Sequence, residues 1–210
     1  LTADTNWARA GHVVGQEQLA LSLGYAVPAF PRPRYAVTLS CADGAYTAKA
    51  GDVTATFSRE AGGLSSLQCG GETLISSPVT LSLWRAPTDN DSDGGGHTIR
   101  KWRECGLDRL LRRVTAFDAR MDGDSAVIRA HAVYGAKVQK PVMALDMTYT
   151  FAPDGEITLA CEFTPLRELP YLPRLGVRFQ TPKRLANLVW LGRGKHESYP
   201  DKKTGAPVGR

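Results

Sequence analysis

Met143-Ala144-Leu145-Asp146-Met147-Thr148-Tyr149-Thr150-Phe151 runs into Pro153-Asp154-Gly155 and then into Ile157-Thr158-Leu159-Ala160-Cys161-Glu162-Phe163. Apolar and polar residues alternate along both arms, the period of a strand with one buried face. The loop between them has turn chemistry: proline presets φ, aspartate bonds its own backbone, and glycine accepts positive φ. The stretch reads as a β-hairpin and is the clearest one in the chain.

The same period recurs outward from it. Residues 126–134 alternate after Asp122-Gly123-Asp124. On the N-terminal side, residues 37–41, 45–50, 53–57 and 64–67 alternate or nearly so. Asp43-Gly44, Gly51-Asp52, Ala61-Gly62-Gly63 and Gly70-Gly71 punctuate them. Residues 177–179 and 188–190 add two short strands. One stretch reads as helix: in residues 98–105, Ile99 and Trp102 stand three apart, and Gly106 follows as a C-cap. The fold class is therefore all-β, a large antiparallel β-sandwich. No strand–helix alternation supports a doubly wound sheet.

Composition agrees. Of 210 residues, 42% are hydrophobic and 22% charged, which excludes wholesale disorder. Glycine (21) and proline (13) are frequent enough to favour many turns. No apolar run reaches the roughly 18 residues that span a bilayer; residues 19–30 are interrupted by Ser22, Gly24 and Pro28. No signal peptide is visible, and the first residue is Leu1, so the chain is expected to be a piece of a longer polypeptide. Three prolines within residues 28–33 make residues 26–35 a stiff connector. Residues 1–25 hold two strands at most and are expected to be the end of a preceding domain. Residues 36–210 form the main domain. Residues 192–210 read as a polar loop without a closing strand, so that domain is expected to be truncated.

The net charge is +5. Its local concentration, Arg100, Lys101, Arg103, Arg109, Arg112 and Arg113, is mixed with Glu104 and Asp108 and reads as a solvated face, not a nucleic-acid stripe. Cys41, Cys69, Cys105 and Cys161 form no CxxC pair, so a zinc site is not indicated; buried free thiols in a reducing compartment are expected.

The most concentrated polar segment is Arg85-Ala86-Pro87-Thr88-Asp89-Asn90-Asp91-Ser92-Asp93-Gly94-Gly95-Gly96-His97. Asp89, Asp91, Asp93 and Gly94 resemble the opening of a calcium loop, but the twelfth position is Arg100 where a glutamate is required. On a strand, Asp89 and Asp91 would share a face roughly 6.6 Å apart, a spacing glycosidases use. Yet neighbours on one loop cannot straddle a substrate. Two readings stay open: an Asx-rich turn capping backbone groups, or a substrate-facing loop formed by Asp89, Asn90, Asp91, Gly94 and His97. In Trp190-Leu191-Gly192-Arg193-Gly194-Lys195-His196-Glu197-Ser198-Tyr199-Pro200-Asp201-Lys202, the groups Arg193, Glu197, Tyr199 and Asp201 read as an ion-pair and hydrogen-bond cluster at a domain contact. No G-x-S-x-G elbow or histidine pair supports a triad or a metal site.

These motifs resemble those of the small-chain domain of glycoside hydrolase family 2 β-galactosidases. Arg85–Asp91 is similar to its RAPxDND signature, Leu172-Pro173-Arg174-Leu175-Gly176 to its LPRxG strand, and the segment from Trp190 to its WxGxGPxENYPDR run. Trp7-Ala8-Arg9-Ala10-Gly11-His12-Val13-Val14-Gly15-Gln16-Glu17-Gln18 resembles the WAxAGHxxAWxQ end of the immunoglobulin-like domain before it. Lys195, Ser198, Lys202 and Gly15 depart from the family pattern. The resemblance implies a galactose-mutarotase-like supersandwich within a retaining β-galactosidase, a cytoplasmic and homo-oligomeric enzyme. Its two catalytic glutamates, with Mg and Na, lie on a (β/α)8 barrel upstream of Leu1. This segment then carries no catalytic residue and no cofactor. It packs on the barrel, trims the rim of the galactoside pocket, and binds neither nucleic acid nor membrane. Arg85, Arg174, Arg193, Glu197, Tyr199 and Asp201 are implied to be structural, and Trp190 a core residue.

Overall fold

The computed structural model describes residues 1–15, 17–19, 21, 24, 31–93, 97–194, 196 and 202–209. They fall into two units, Pro31–Ala186 and a smaller one of Leu1–Phe30 with Asn187–Arg210.

In the larger unit, β1 (Thr38–Ala42), β2 (Ala45–Ala50), β3 (Val53–Ser58), β4 (Gly63–Cys69) and β5 (Glu72–Ile75) form one antiparallel sheet in chain order. After β6 (Thr80–Ser82) come α1 (Asp89–Asp93) and α2 (Thr98–Glu104). Then β7 (Leu111–Asp122), β8 (Ser125–Gly135), β9 (Met143–Phe151) and β10 (Ile157–Pro165) form a second antiparallel sheet, again in chain order. β11 (Gly176–Arg178) returns to pair with β6.

The two sheets share one core. Ala48, Ala50, Ala55, Phe57 and Leu64 of the first meet Ile128, Ala130, Ala132, Leu145, Met147, Tyr149 and Phe151 of the second. Rings from the two sheets meet directly: Phe57 lies edge-on to Tyr149 at 5.2 Å, and Tyr46 lies tilted against Phe117 at 5.2 Å. Each large apolar side chain so buried stabilises the fold by about 1.5–3 kcal/mol. The all-β, antiparallel sandwich expected from the alternation is the architecture observed.

The hairpin that decided that reading is β9–β10, with Phe151 opposite Ile157. Ala152 donates to Glu156 (2.9 Å), Gly155 to Ala152 (2.9 Å), and the Asp154 carboxylate accepts from the Glu156 amide at 3.1 Å. Gly155 has φ +79°, and a Cβ there would lie 2.7 Å from a Val53 methyl, so both conformation and space require glycine. The helix expected at residues 98–105 is α2. It ends as foreseen at Gly106 (φ +72°). Gly106 N–H bonds to the Arg103 carbonyl at 2.9 Å and Leu107 N–H to that of Trp102 at 3.0 Å, a Schellman closure.

Several elements differ from expectation. β7 escaped the period-two reading because a bulge between Val114 and Ala116 shifts its phase by one residue. Residues before and after the bulge therefore face the core on different parities. The acidic stretch from Asp89 is a single helical turn, not a strand or an irregular loop. Residues 188–190 form no strand; Leu188, Val189 and Trp190 are exposed. In the smaller unit the segment expected to be an open polar loop closes as a ribbon of β12 (Gly192–Arg193) with β13 (Val208–Gly209). The Gln18 side chain clamps Val208, donating to its carbonyl at 2.7 Å and accepting from its amide at 2.6 Å. The described residues of 1–24 show turns and extended chain, with local bonds such as Gly11 to Leu1 at 3.0 Å. All four cysteines are free thiols; Cys41 is exposed and the others half-buried, less buried than expected. Burial pushes the Cys161 thiol up. Among the described residues no helix is long and apolar enough to cross a membrane.

Candidate functional site

The chain leaves β6 through the buried Leu83 and the half-buried Trp84, and then reaches Arg85. The guanidinium of Arg85 grips Asp91 two-handed, Nη1 to Oδ2 at 2.7 Å and Nη2 to Oδ1 at 3.0 Å. Nη1 also donates to the Ala86 carbonyl (3.1 Å) and Nε to that of Pro173 (3.2 Å). The guanidinium carbon stands 5.2 Å from the centroid of Trp102. Planar, delocalised arginine fits this combination of bidentate pairing and stacking; lysine could not reproduce it.

Asp91 is 5% exposed. Beyond Arg85, it accepts from the Thr88 amide at 2.7 Å and the Thr88 hydroxyl at 3.0 Å. Thr88 and Asp91 thus make half of a capping box: the carboxylate three residues into the turn reaches back to the amide before it. Arg85 beside it, with the Thr88 bonds, outweighs burial and holds the Asp91 carboxyl at about 2, below its ordinary 3.8.

Trp102 of α2 is fully buried and forms the floor of this node. Its indole N–H donates to the Tyr171 carbonyl at 2.9 Å. Trp84 and Tyr171 meet its ring edge-on at 6.1 and 5.7 Å. The node ties three separate segments, residues 84–91, α2 and residues 171–173, into one rigid piece.

α1 decides what that piece presents. Successive residues on a helix turn by about 100°, so Asp89 and Asp91 lie on opposite sides, not on one face as a strand would place them. Asp91 points inward; Asp89 and Asn90 are exposed. His97 is exposed with φ +47° and makes no side-chain cap bond to α2. Gly94 lies outside the described residues. Of the loop residues expected to face a substrate, Asp89, Asn90 and His97 are therefore displayed, whereas Asp91 holds the display in place.

Arg174 is exposed and forms no ion pair or hydrogen bond among the described residues. Arg193, in the smaller unit, donates to the carbonyls of Lys203 (2.6 Å) and Ala206 (2.9 Å) and so closes the β12–β13 loop on itself. Glu197, Tyr199 and Asp201 lie outside the described residues. Trp190 is 53% exposed, not a core residue. It lies against Gly192 and Gly194, where a Cβ would sit 3.2 and 3.3 Å from the indole. With Leu188, His196 and Pro207 it lines a cleft of about 610 Å³.

Sequence reasoning missed Thr88, Trp102 and Tyr171 as parts of the node. The Thr-x-x-Asp spacing of residues 88–91 was a readable signal for the first. The other two are long-range contacts with no local signature.

Fold and site together define an all-β sandwich domain whose buried charges fix a loop. The profile of the family described as "Beta galactosidase small chain" matches residues 49–210. The chain is 30% identical over 209 residues to a protein of Priestia megaterium named "Beta-galactosidase", covering 99% of this chain and 20% of that one. Proteins of the same name from Klebsiella pneumoniae (31% over 215 residues) and Arthrobacter sp. (32% over 228 residues) are covered to 20% by 98% of this chain. The chain belongs to the β-galactosidase small-chain family. It spans about a fifth of the length of these relatives.

Proposed function

We propose that this chain serves as the non-catalytic sandwich domain of a retaining glycoside hydrolase family 2 β-galactosidase. The whole enzyme hydrolyses terminal β-D-galactosides, and this domain packs on the barrel carrying the reacting glutamates and trims the mouth of its pocket. The observation that carries the reading is the Arg85–Asp91 node, which displays Asp89 and Asn90 from a rigid base. Exposed carboxylate and amide groups suit sugar hydroxyls, and fixing them in advance lowers the entropic cost of orienting a substrate. The four unbridged thiols support a cytoplasmic address. Mg and Na belong to the barrel in this reading. Among the described residues no group of three or more His, Cys, Asp or Glu side chains is placed to hold a metal.

The test pairs the 210-residue chain with the full polypeptide that contains it, using a chromogenic β-galactoside. The full polypeptide is expected to turn the substrate over with retention, and the chain by itself to stay at the solvent blank. Turnover by the isolated chain refutes the reading.

A second reading, a stand-alone carbohydrate-binding module, is favoured by the cleft beside the half-exposed face of Trp190, a surface on which a sugar ring can stack. Saturable heat on titrating galactose into the chain, abolished by Trp190→Ala, supports the module; no heat supports dependence on the barrel.

A further inference from the structure

β7 is the last strand of its sheet. It pairs with β8, and among the described residues no backbone group of β7 bonds to any other segment. Twelve residues of strand, about 40 Å at roughly 3.3 Å each, therefore carry an edge that is unpaired among the described residues. Open edges are usually blunted by shortness, lysine or proline. β5 is four residues long and β10 ends on Pro165, but β7 has neither lysine nor proline; the bulge at Thr115 and the strand's charged side chains, arginines among them, are what blunt it.

A groove follows this edge. One cleft of about 640 Å³ lies between Leu110–Arg112 at the start of β7 and Arg178–Gln180 at the end of β11. A second of about 370 Å³ continues along residues 112–117 against Arg59 and Glu60, and the two clefts share Glu60 and Arg112 in their walls. The side chains of Arg59, Arg113 and Arg178, all exposed residues, form no ion pair or hydrogen bond among the described residues. Arg112 donates to the backbone carbonyl of Glu60 at 3.2 Å and forms no ion pair among the described residues. Among the described residues Glu60 is the sole carboxylate in the two walls, beside four guanidinium groups. Leu111 and Phe179, both exposed, add apolar surface at one end.

We propose that the β7 edge is a docking site for an extended acidic polypeptide segment, which adds as a further antiparallel or parallel strand. The backbone of β7 would supply the ladder, and the arginines would select carboxylates on alternate residues of the incoming strand. A lone phosphate or sulfate would engage the arginines of one cleft and leave the β7 amides open, so the geometry favours a peptide over a small anion. The inference does not depend on the galactosidase reading.

The test uses the full chain and an eight-residue peptide of alternating glutamate and valine, followed by calorimetry and by amide shifts in residues 111–117. Saturable binding is expected, with shifts along β7. The double variant Arg113→Glu, Arg178→Glu, which alters exposed side chains, should weaken it at least about tenfold. The same peptide N-methylated at alternate residues keeps its charge and loses its donors, and should not bind. Equal binding of the N-methylated peptide, equal binding of a lysine–valine peptide, complete displacement by millimolar inorganic phosphate, or no binding of the glutamate–valine peptide would each overturn the proposal.

Discussion

Asp91→Asn keeps the volume of the side chain and removes its charge. A carboxyl held at about 2 in place of 3.8 is stabilised in its charged form by about 2 kcal/mol, at about 1.36 kcal/mol per unit. Breaking a buried pair from one side costs about 3–5 kcal/mol when the remaining charge is stranded. Here Arg85 keeps the Pro173 and Ala86 carbonyls and the Trp102 ring, and its side chain is 16% exposed. The expected loss is therefore about 2–3 kcal/mol, or about 5–10 °C in Tm for a chain of this size. Urea and thermal unfolding read it directly. The pH dependence gives a sharper test. The carboxyl is depressed in the folded state, so its contribution is full above about pH 4 and disappears as pH falls through about 2. Parent and variant should differ most near neutrality and converge near pH 2. A variant within about 0.5 kcal/mol of the parent at neutral pH, or one whose deficit is undiminished near pH 2, refutes the assignment of Asp91 as the anchor of the loop.

Gly106→Ala places a side chain at φ +72° with its Cβ overlapping that of Ala136, and should cost about 2–4 kcal/mol in urea unfolding. Burial pushes the Tyr149 phenol well above its usual 10.0, so stability should be present below pH 10 and fall as pH rises beyond it; Tyr149→Phe should flatten that alkaline slope in a pH series of thermal melts. Asp89→Ala and Asn90→Ala alter exposed side chains and should shift unfolding by less than about 0.5 kcal/mol, while lowering kcat/KM for a galactoside in the full polypeptide. Unchanged kcat/KM would remove the rim role from α1. Trp102→Phe deletes the N–H bonded to the Tyr171 carbonyl and weakens the seat of Arg85, and should cost about 2–3 kcal/mol with a visible change in near-UV circular dichroism.

The strands that alternate without interruption were legible because one face of each is buried by the partner sheet, and periodicity records that burial. β8 is the clearest instance, with Ala126, Ile128, Ala130, Ala132 and Tyr134 all buried on one side. β7 was illegible for the converse reason: one extra residue at Thr115 moves the buried parity, and its arginines look like a solvated surface. α1 was hidden because Asp, Asn and Ser favour turns, and a single helical turn has no period to display. The motif around Asp91 was visible as a polar concentration. Its inward orientation was not, since this depends on Arg85 finding Trp102 and Pro173 from distant parts of the chain.

Within each of the two large sheets every ladder joins strands adjacent in the chain. Neither sheet needs a long excursion to assemble, so each can zip up hairpin by hairpin at small loop-closure cost. The slow event is then expected to be the docking of one meander upon the other, marked by the meeting of Phe57 with Tyr149 and of Tyr46 with Phe117. Amide hydrogen exchange should accordingly resolve two cooperative blocks, with protection in β8 and β9 outlasting that in β1 and β5.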